Sequence, residues 1–238
     1  DAGLPEAMKW RGHALGVMVC EDIWSDDVAF AHKEQGAEML IVINASPFEP
    51  GKLAMRKKLV SDAARKTALP VLYVNMVGGQ DDIVFDGGSF VIDPATAAMG
   101  ACRYGGMEPV VQAAEFVEEL LVGQVNGEWW RVEGDKKVAF TSHQPLATSH
   151  QLWSAMKLGL SDYLRKNGFT DVLLGLSGGI DSAITAALAV DALGASHVRG
   201  LLLPSPYTSQ DSIDDALETA KLLGIKTDTV AITPAMQA

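Results

Sequence analysis

Residues 171–190, DVLLGLSGGIDSAITAALAV, combine three local patterns. The apolar run VLLGL predicts a buried parallel strand, and the alanine-rich run that ends the segment has high helix propensity. Between them lies a tight loop, residues 177–182. A strand, a glycine-rich loop and a helix in this order present backbone N–H groups and the positive end of a helix to an anion. The segment therefore predicts an anion-binding turn within an α/β fold.

The side chains of the loop fit that interpretation. Gly178 and Gly179 allow a sharp turn and a close approach of the backbone to a ligand. The hydroxyls of Ser177 and Ser182 add hydrogen-bond donors, and Asp181 is placed to meet a cation beside bound phosphates. The lysine of the kinase and GTPase phosphate loop is absent, which predicts a different kind of nucleotide loop. The alternative is a strand–helix turn that binds no ligand.

The composition indicates a globular protein with a substantial core. Of the 238 residues, 48% are hydrophobic and 21% are charged, enough for one large domain or two modest ones. The net charge of −11 argues against binding to nucleic acid or to an anionic membrane, since such a surface repels phosphate. Two cysteines, Cys20 and Cys102, are too few for a disulfide framework and predict a reducing, cytoplasmic setting. No membrane-spanning run or signal peptide is visible, and the start at Asp1 without Met predicts an internal fragment.

The order of the predicted elements divides the chain in two. In residues 1–122, buried strands alternate with helices and a β-rich stretch closes the segment. Residues 123–148 show no clean period and predict a junction. Residues 149–238 predict helix–β–α–β–α–β, the start of a doubly wound parallel sheet whose last strand covers residues 229–232. The buried face of the first helix in this part is predicted to carry Leu152, Met156, Leu160, Tyr163 and Leu164.

Cys20 is the second chemical candidate. The strand predicted over residues 13–19 runs directly into CEDIW, so the thiol stands at a strand-to-helix elbow, a position that exposes and activates a nucleophile. The backbone N–H of Glu21 is placed to contribute to an oxyanion hole in the same turn. A cysteine after an apolar strand is, taken alone, more often a small buried hydrophobe.

Three segments around this cysteine resemble the glutaminase domain of the nitrilase superfamily, in the form carried by glutamine-dependent NAD+ synthetases. They are CEDIW at Cys20, NASPF at Asn44 with Lys52 following, and VNMVGGQDDIVFDGGSF at Val74. SGGIDS resembles the pyrophosphate loop of the ATP pyrophosphatase family, which splits ATP into AMP and pyrophosphate; with LLPSPYTSQDSIDDA it resembles the synthetase domain of the same enzymes. The resemblance implies the C-terminal part of a nitrilase-like α-β-β-α sandwich followed by the start of a Rossmann-like ATP-pyrophosphatase domain.

The resemblance also implies roles for the matching residues. Cys20 would attack the side-chain amide of glutamine, forming a thioester and releasing ammonia, with Ser46 and Lys52 binding the glutamine. The second domain would adenylate deamido-NAD+, and ammonia would displace AMP, so that the enzyme is a carbon–nitrogen ligase yielding NAD+, AMP and pyrophosphate. Mg2+ is expected on Asp181, and a homo-oligomer is expected. The phosphates of ATP would be held by Gly175, Leu176, Ser177, Gly178, Gly179, Ile180, Asp181 and Ser182.

The family pattern also requires a glutamate base and a lysine upstream of the cysteine. Only nineteen residues precede Cys20, and Glu6 and Lys9, in LPEAMKW, do not match those motifs. The isolated chain is therefore predicted to be inactive. Three alternatives are kept: another glutamine-dependent ATP-pyrophosphatase amidotransferase, a plain nitrilase-type amide hydrolase, and a fragment that binds nucleotide or mediates oligomer contacts without glutaminase activity.

The remaining candidates rank lower. Asp81, Asp82 and Asp86 lie near glycines and are predicted to be turn carboxylates rather than metal ligands. The histidines show no ligand spacing, so no zinc site is predicted. Cys102 is predicted to be a bystander. Gln210 is predicted either to reach the adenosine of ATP or to be simply an early helix residue.

Overall fold

The computed structural model describes residues 5–94, 109, 111–120 and 148–236. The chain divides into two compact units, one comprising Asp1–Gly78 with Ile83–Gln151 and the other comprising Gly79–Asp82 with Leu152–Ala238. The predicted junction lies outside the described residues except for Thr148, and so does Cys102.

The first unit is built on a six-stranded mixed sheet. The elements up to residue 112 are β1 Met8–Trp10, β2 His13–Val19, α1 Asp26–Glu34, β3 Met39–Asn44, α2 Lys52–Thr67, β4 Val71–Asn75, β5 Val77–Gln80, β6 Ile83–Asp86, β7 Phe90–Ile92 and β8 Val111–Gln112. The central strands β2, β3 and β4 of the sheet run parallel, and the strands that flank them pair antiparallel, in the order β1-β2-β3-β4-β7-β8. Strands β5 and β6 form a separate hairpin.

Both helices of this unit cover one face of the sheet. Strand side chains alternate between faces, so each central strand contributes every second residue to the core. Met18, Val42 and Tyr73 point to the covered face and are buried there against apolar residues of α1 and α2. Each helix has an identifiable beginning. The Ser25 hydroxyl accepts a hydrogen bond from the Asp27 N–H at the start of α1, and Gly51, in the left-handed region, precedes α2.

The second unit contains a three-stranded parallel sheet in the order β11-β10-β9. Its core is made by small residues of two helices against the central strand, including Ala186, Ala189, Ala216 and Leu202. This arrangement confirms the predicted α/β class and the start of a parallel sheet. The elements are α3 Thr148–Asn167, β9 Val172–Gly175, α4 Ile180–Leu193, β10 Val198–Leu202, α5 Gln210–Leu223, β11 Lys226–Thr229 and α6 Thr233–Met236.

Two sequence-based expectations for this unit are wrong. The last strand does not cover residues 229–232, because β11 ends at Thr229. The strand has the polar sequence KTDT and lies at the edge of the sheet. The apolar residues on which the prediction was based follow the strand. The predicted buried face of α3 is also only partly correct. Leu164 is buried and Leu160 packs against the core, whereas the other three predicted side chains are exposed.

Candidate functional site

Cys20 lies directly after β2, at the carboxyl end of the central sheet of the first unit. It opens a short 3-10 helix, Cys20–Trp24, and its backbone is left-handed with a φ of +51°. A non-glycine residue in this region costs about 1–3 kcal/mol and persists only where the surroundings impose it. Asp22 contributes by accepting a hydrogen bond from the Val19 N–H at 2.7 Å, and Ile23 is buried in the core. The fold therefore holds a partly accessible thiol in a strained elbow.

Parallel pairing brings the predicted substrate-binding segment to the same edge of the sheet. Val19 lies opposite Ile43, and Asn44 lies opposite Asn75, so β2, β3 and β4 end together. Ser46 follows β3 by two residues. The structure thus places Cys20 and Ser46 at the carboxyl ends of adjacent strands, which is where open α/β sheets commonly carry their ligands.

Ser46 is held by an amide and a guanidinium. Its N–H donates to Asn75 Oδ1 at 2.9 Å, and its carbonyl accepts from Arg56 Nη2 at 2.8 Å and from Asn75 Nδ2 at 3.3 Å. Its hydroxyl oxygen accepts from Arg56 Nε at 3.1 Å. The sequence analysis did not identify Arg56 or Asn75. The available signal was the asparagine that ends β4 in YVN, matching the one that ends β3 in VIN.

Asp86 is not a turn carboxylate but one half of a buried ion pair. Its two oxygens accept hydrogen bonds from Arg56 Nη1 at 2.8 and 2.9 Å, and the side chains of the pair are only 3% and 1% exposed. The prediction failed because the partner stands thirty positions earlier on α2. Within the described residues, no three His, Cys, Asp or Glu side chains gather in a group able to hold a metal ion.

Tyr73 joins the cysteine to this cluster electrostatically. Burial raises the pKa of its phenol, and the charges of Cys20 and Asp86 act in the same direction. The Arg56 guanidinium and a hydrogen bond with Ser46 lower the pKa in turn. The Tyr73 ring stacks on Phe90 with centroids 5.0 Å apart, which fixes its position. One buried phenol is therefore sensitive to both the thiol and the Ser46 segment.

Lys52 is the predicted glutamine ligand for which the geometry gives least support. It begins α2, its side chain is 15% exposed, and its ammonium pairs with Glu49 at 2.7 Å. That hydrogen bond lowers the pKa of Glu49. A substrate carboxylate would have to share or replace this pairing, so the role of Lys52 stays a prediction.

The loop that the sequence predicts to bind an anion lies between β9 and α4. The Ser182 hydroxyl accepts a hydrogen bond from the Ser177 N–H at 3.1 Å, and the Gly179 N–H donates to Ser177 Oγ at 3.2 Å. The Gly178 N–H donates to the Ser212 hydroxyl of α5 at 3.2 Å. Serine hydroxyl oxygens thus accept hydrogen bonds from the same backbone N–H groups that the sequence predicts to bind a phosphate. Their positions show where an acceptor oxygen can lie.

A cleft of about 570 Å³ opens beside this loop, at the carboxyl ends of β9 and β10. This volume is typical of a small-molecule or cofactor site. Asp181 lies exposed in the first turn of α4, and Tyr207 is 87% exposed at the cleft. Gln210 pairs with Asp214 at 2.8 Å, as an early helix residue does. The other lining residues include Gly175, Leu176, Ser177, Leu203, Pro204, Ser209 and Ser212.

The chain carries two candidate sites of different chemistry. One α/β unit presents a thiol at a strand-to-helix elbow, and another presents a glycine–serine phosphate-type loop beside a cleft. Residues 4–126, just over half of the chain, match the family model described as carbon-nitrogen hydrolase, and the chain belongs to that family. Residues 152–238 match the model described as NAD synthase.

In the described part of the chain, no helix is long and apolar enough to cross a membrane.

Similar proteins support both matches. The chain is 46% identical over 222 residues to the glutamine-dependent NAD(+) synthetase of Rhodobacter capsulatus, covering 92% of this chain and 37% of that protein. The Synechocystis protein of the same name is 37% identical, covering 99% of this chain and 42% of the relative. The chain therefore spans about two-fifths of the length of these relatives.

A solved structure covers both units. The glutamine-dependent NAD+ synthetase of Acinetobacter baumannii, in complex with adenosine diphosphate, superposes with a TM-score of 0.80 at 36% identity. The superposition covers 97% of this chain and 41% of that one. The Cytophaga hutchinsonii structure, with a TM-score of 0.71 at 18% identity, supports the fold alone.

Proposed function

We propose that this chain belongs to a glutamine-hydrolysing NAD+ synthetase. Cys20 attacks the side-chain amide carbon of glutamine; the C–N bond breaks, ammonia leaves, and water releases glutamate from the thioester. In the second unit, the carboxylate of deamido-NAD+ attacks the α-phosphorus of ATP and expels pyrophosphate. Ammonia then attacks the acyl-adenylate, giving the amide of NAD+ and AMP. Adenylation is needed because a carboxylate is a poor electrophile.

One observation carries this proposal: the elbow cysteine and the phosphate-type loop occur in a single chain. Each feature alone fits several enzymes. A plain amide hydrolase has no use for the loop, and the CEDIW and NASP segments around the cysteine disfavour other ATP-pyrophosphatase amidotransferases. The relatives named above, which match the chain across both units, support the same assignment.

The residues of the loop suit ATP and Mg2+. The phosphates would replace the hydroxyls at the N–H groups of Ser177, Gly178 and Gly179, at the positive end of α4. Mg2+ is usually bound by one or two carboxylates together with substrate phosphates, so a single exposed Asp181 fits such a shared ion. When bound, the ion would neutralise charge on the phosphates. A homo-oligomer belongs to this proposal only through the family resemblance.

The first test replaces the nucleophile in the complete gene product. We expect Cys20→Ala to lose glutamine-driven NAD+ formation by at least about a thousandfold, as removal of a covalent nucleophile does in comparable enzymes. The ammonium-driven reaction should continue, because it needs only the second unit. NAD+ formed from deamido-NAD+ and Mg-ATP is measured with each nitrogen source.

Cys102→Ala is the matched control for loss of a thiol, and both activities should persist in it. A Cys20→Ala variant that still uses glutamine would rule out the assigned nucleophile. A wild-type protein that makes no NAD+ from either nitrogen source would show that the proposed acceptor is wrong.

A further inference from the structure

The Arg56 side chain is saturated with hydrogen bonds. Its Nη1 donates to both oxygens of Asp86, its Nη2 donates to the carbonyls of Ser46 and Pro47 at 2.8 and 2.9 Å, and its Nε donates to the Ser46 hydroxyl. Apart from Asp86, the described groups to which it donates belong to Ser46 and Pro47, the second and third residues after β3. The guanidinium is thus directed at one short segment of backbone.

The placement is poorly explained as a stability device. Removing two charges from water costs several kcal/mol per ion before their mutual attraction is counted, and well-packed apolar pairs are often as stable. Here both partners are almost fully buried. Asn75 adds hydrogen bonds to the N–H and the carbonyl of Ser46 and to Asp86 Oδ1. The result is a serine whose backbone and hydroxyl oxygen are fixed together at the edge that carries Cys20.

The hydrogen bond from Arg56 Nε to the Ser46 hydroxyl oxygen also affects where the hydroxyl proton of Ser46 points. A hydroxyl that accepts a hydrogen bond from a cationic donor has its own proton free to point elsewhere. Lys52, the other predicted ligand, is already paired with Glu49. The Tyr73 phenol also hydrogen-bonds with Ser46, and burial raises the pKa of that phenol, so the protonated phenol donates to the Ser46 oxygen as Arg56 does. With both acceptor positions of its oxygen filled, Ser46 offers its own proton as a donor at this edge, and Arg56 fixes the position of the hydroxyl.

We propose that Arg56 is a positioning residue for glutamine hydrolysis, which orients the Ser46 hydroxyl as a hydrogen-bond donor to an acceptor oxygen of the substrate at Cys20; this rests on the function proposed above. Its loss should weaken substrate binding more than the chemical step. Asp86 and Asn75 complete the cluster by holding Arg56 and the Ser46 backbone.

The test compares Arg56→Lys with Ser46→Ala in the complete gene product. Lysine keeps a positive charge beside Asp86 but loses the planar fork and the Nε–H. We expect each variant to raise the KM for glutamine about 10- to 100-fold, the effect of a lost charge-assisted hydrogen bond, with kcat changed less than about threefold. In the Ser46→Ala background, Arg56→Lys should add less than about threefold, because both changes remove the same interaction. Steady-state glutamate release provides both constants.

Arg65→Lys is the matched control, since Arg65 is exposed on the same helix and pairs with nearby Asp62 at 3.1 Å; it should change neither constant. Two results would show that Arg56 only supports the fold. One is a double variant whose increase in KM equals the product of the two single increases. The other is a loss of ammonium-driven NAD+ formation as large as the loss of glutamine hydrolysis. If Arg56→Lys is insoluble, Asp86→Asn carries the same comparison, because it loosens the ion pair with little change of shape. A wild-type protein that makes no NAD+ would contradict the proposed NAD+ synthesis but not the role of Arg56, because that role is measured by glutamate release.

Discussion

Glu115 is a half-buried carboxyl group near a second, deeply buried carboxylate. Burial raises its pKa above the ordinary value of 4.5, and the negative charge of Asp86 raises it further. The hydrogen bond from Gln151 and the charges of Lys57 and Arg56 lower it only in part. The folded protein therefore holds the proton of Glu115 more tightly than the unfolded chain does. Its favourable contribution to folding is complete below pH 4.5 and is lost as the pH rises through the raised value.

This linkage gives a prediction for Glu115→Gln. The variant should have a higher free energy of unfolding than the wild type at pH 7.5, because the neutral amide avoids the burial of a charge beside Asp86. The difference between the two free energies of unfolding should become smaller as the pH falls toward 4.5. Denaturant unfolding of both proteins at several pH values measures this difference. Glu118→Gln, at an exposed position nearby, is the control. A variant less stable than the wild type at pH 7.5 would contradict the prediction.

At the level of single residues, sequence patterns identified candidate site residues but not the side chains that hold them in place. The motif around Cys20 and the hydroxyl of Ser46 were both recognised, and the fold brings them to one edge of a sheet. Arg56 was missed and Asp86 was misjudged, because their partners lie nine to thirty positions away in the sequence. A buried ion pair leaves no periodic signal in a sequence, whereas a glycine–serine loop or a strand-to-helix elbow does.

The loop between β9 and α4 depends on a second element for its shape. A Cβ placed on Gly178 would lie 2.8 Å from Ser212 Cα and 2.9 Å from the Ser212 carbonyl oxygen. Both contacts are with backbone of α5, so a side chain cannot be accommodated by a rotamer change. A Cβ on Gly179 would meet only Ser177 Oγ, at 3.4 Å. The two adjacent glycines therefore differ in function: the first permits close packing of α5 on the loop.

We predict that Gly178→Ala destabilises the second unit by about 1–3 kcal/mol, the usual cost of overpacking, and weakens ATP binding at least tenfold. The loop must move away from α5, which displaces the N–H groups proposed for the phosphates. Gly179→Ala is the matched variant and should lower the free energy of unfolding by less than about 1 kcal/mol. Calorimetric titration with Mg-ATP and thermal unfolding measure the two effects. Equal destabilisation by both variants would argue against the packing explanation.

Among the elements, those with strong end signals were predicted best. The basic amphipathic run predicts a helix over residues 52–67, and α2 has these bounds. Ser209 is predicted to cap a helix, and α5 begins directly after it, where the Ser209 hydroxyl accepts from the Ser212 N–H. The predictions were least accurate for a strand at the edge of a sheet and for a helix that contacts more than one element. β11 is polar because it ends a sheet, and α3 buries Asp162, which accepts a hydrogen bond from the Gly79 N–H and pairs with Arg165. Periodicity identifies an apolar face but cannot identify a polar contact within it.

On the scale of the whole molecule, each unit has its own apolar core. The sequence does not indicate that Gly79–Asp82 group with the second unit. Among the described residues, α1 and α2 cover one face of the sheet of the first unit. On the other face, Val19, Ile43 and Val74 are 60%, 51% and 40% exposed, and they lie on adjacent strands in register. An apolar patch of this kind is unusual on a soluble surface and favours association.

The 238-residue chain by itself should therefore self-associate through this face. The double variant Ile43→Thr with Val74→Thr keeps the β-branched shape that suits a strand while reducing the apolar area, so it should shift the sedimentation profile toward monomer and reduce binding of a hydrophobic dye. Val42→Thr, on the covered face of the same strand, is the matched variant. It should instead lower the free energy of unfolding by about 1–3 kcal/mol, because it buries a hydroxyl. Unchanged association in the double variant would assign the self-contact to another surface, since threonine removes apolar area from this face without unfolding the sheet beneath it.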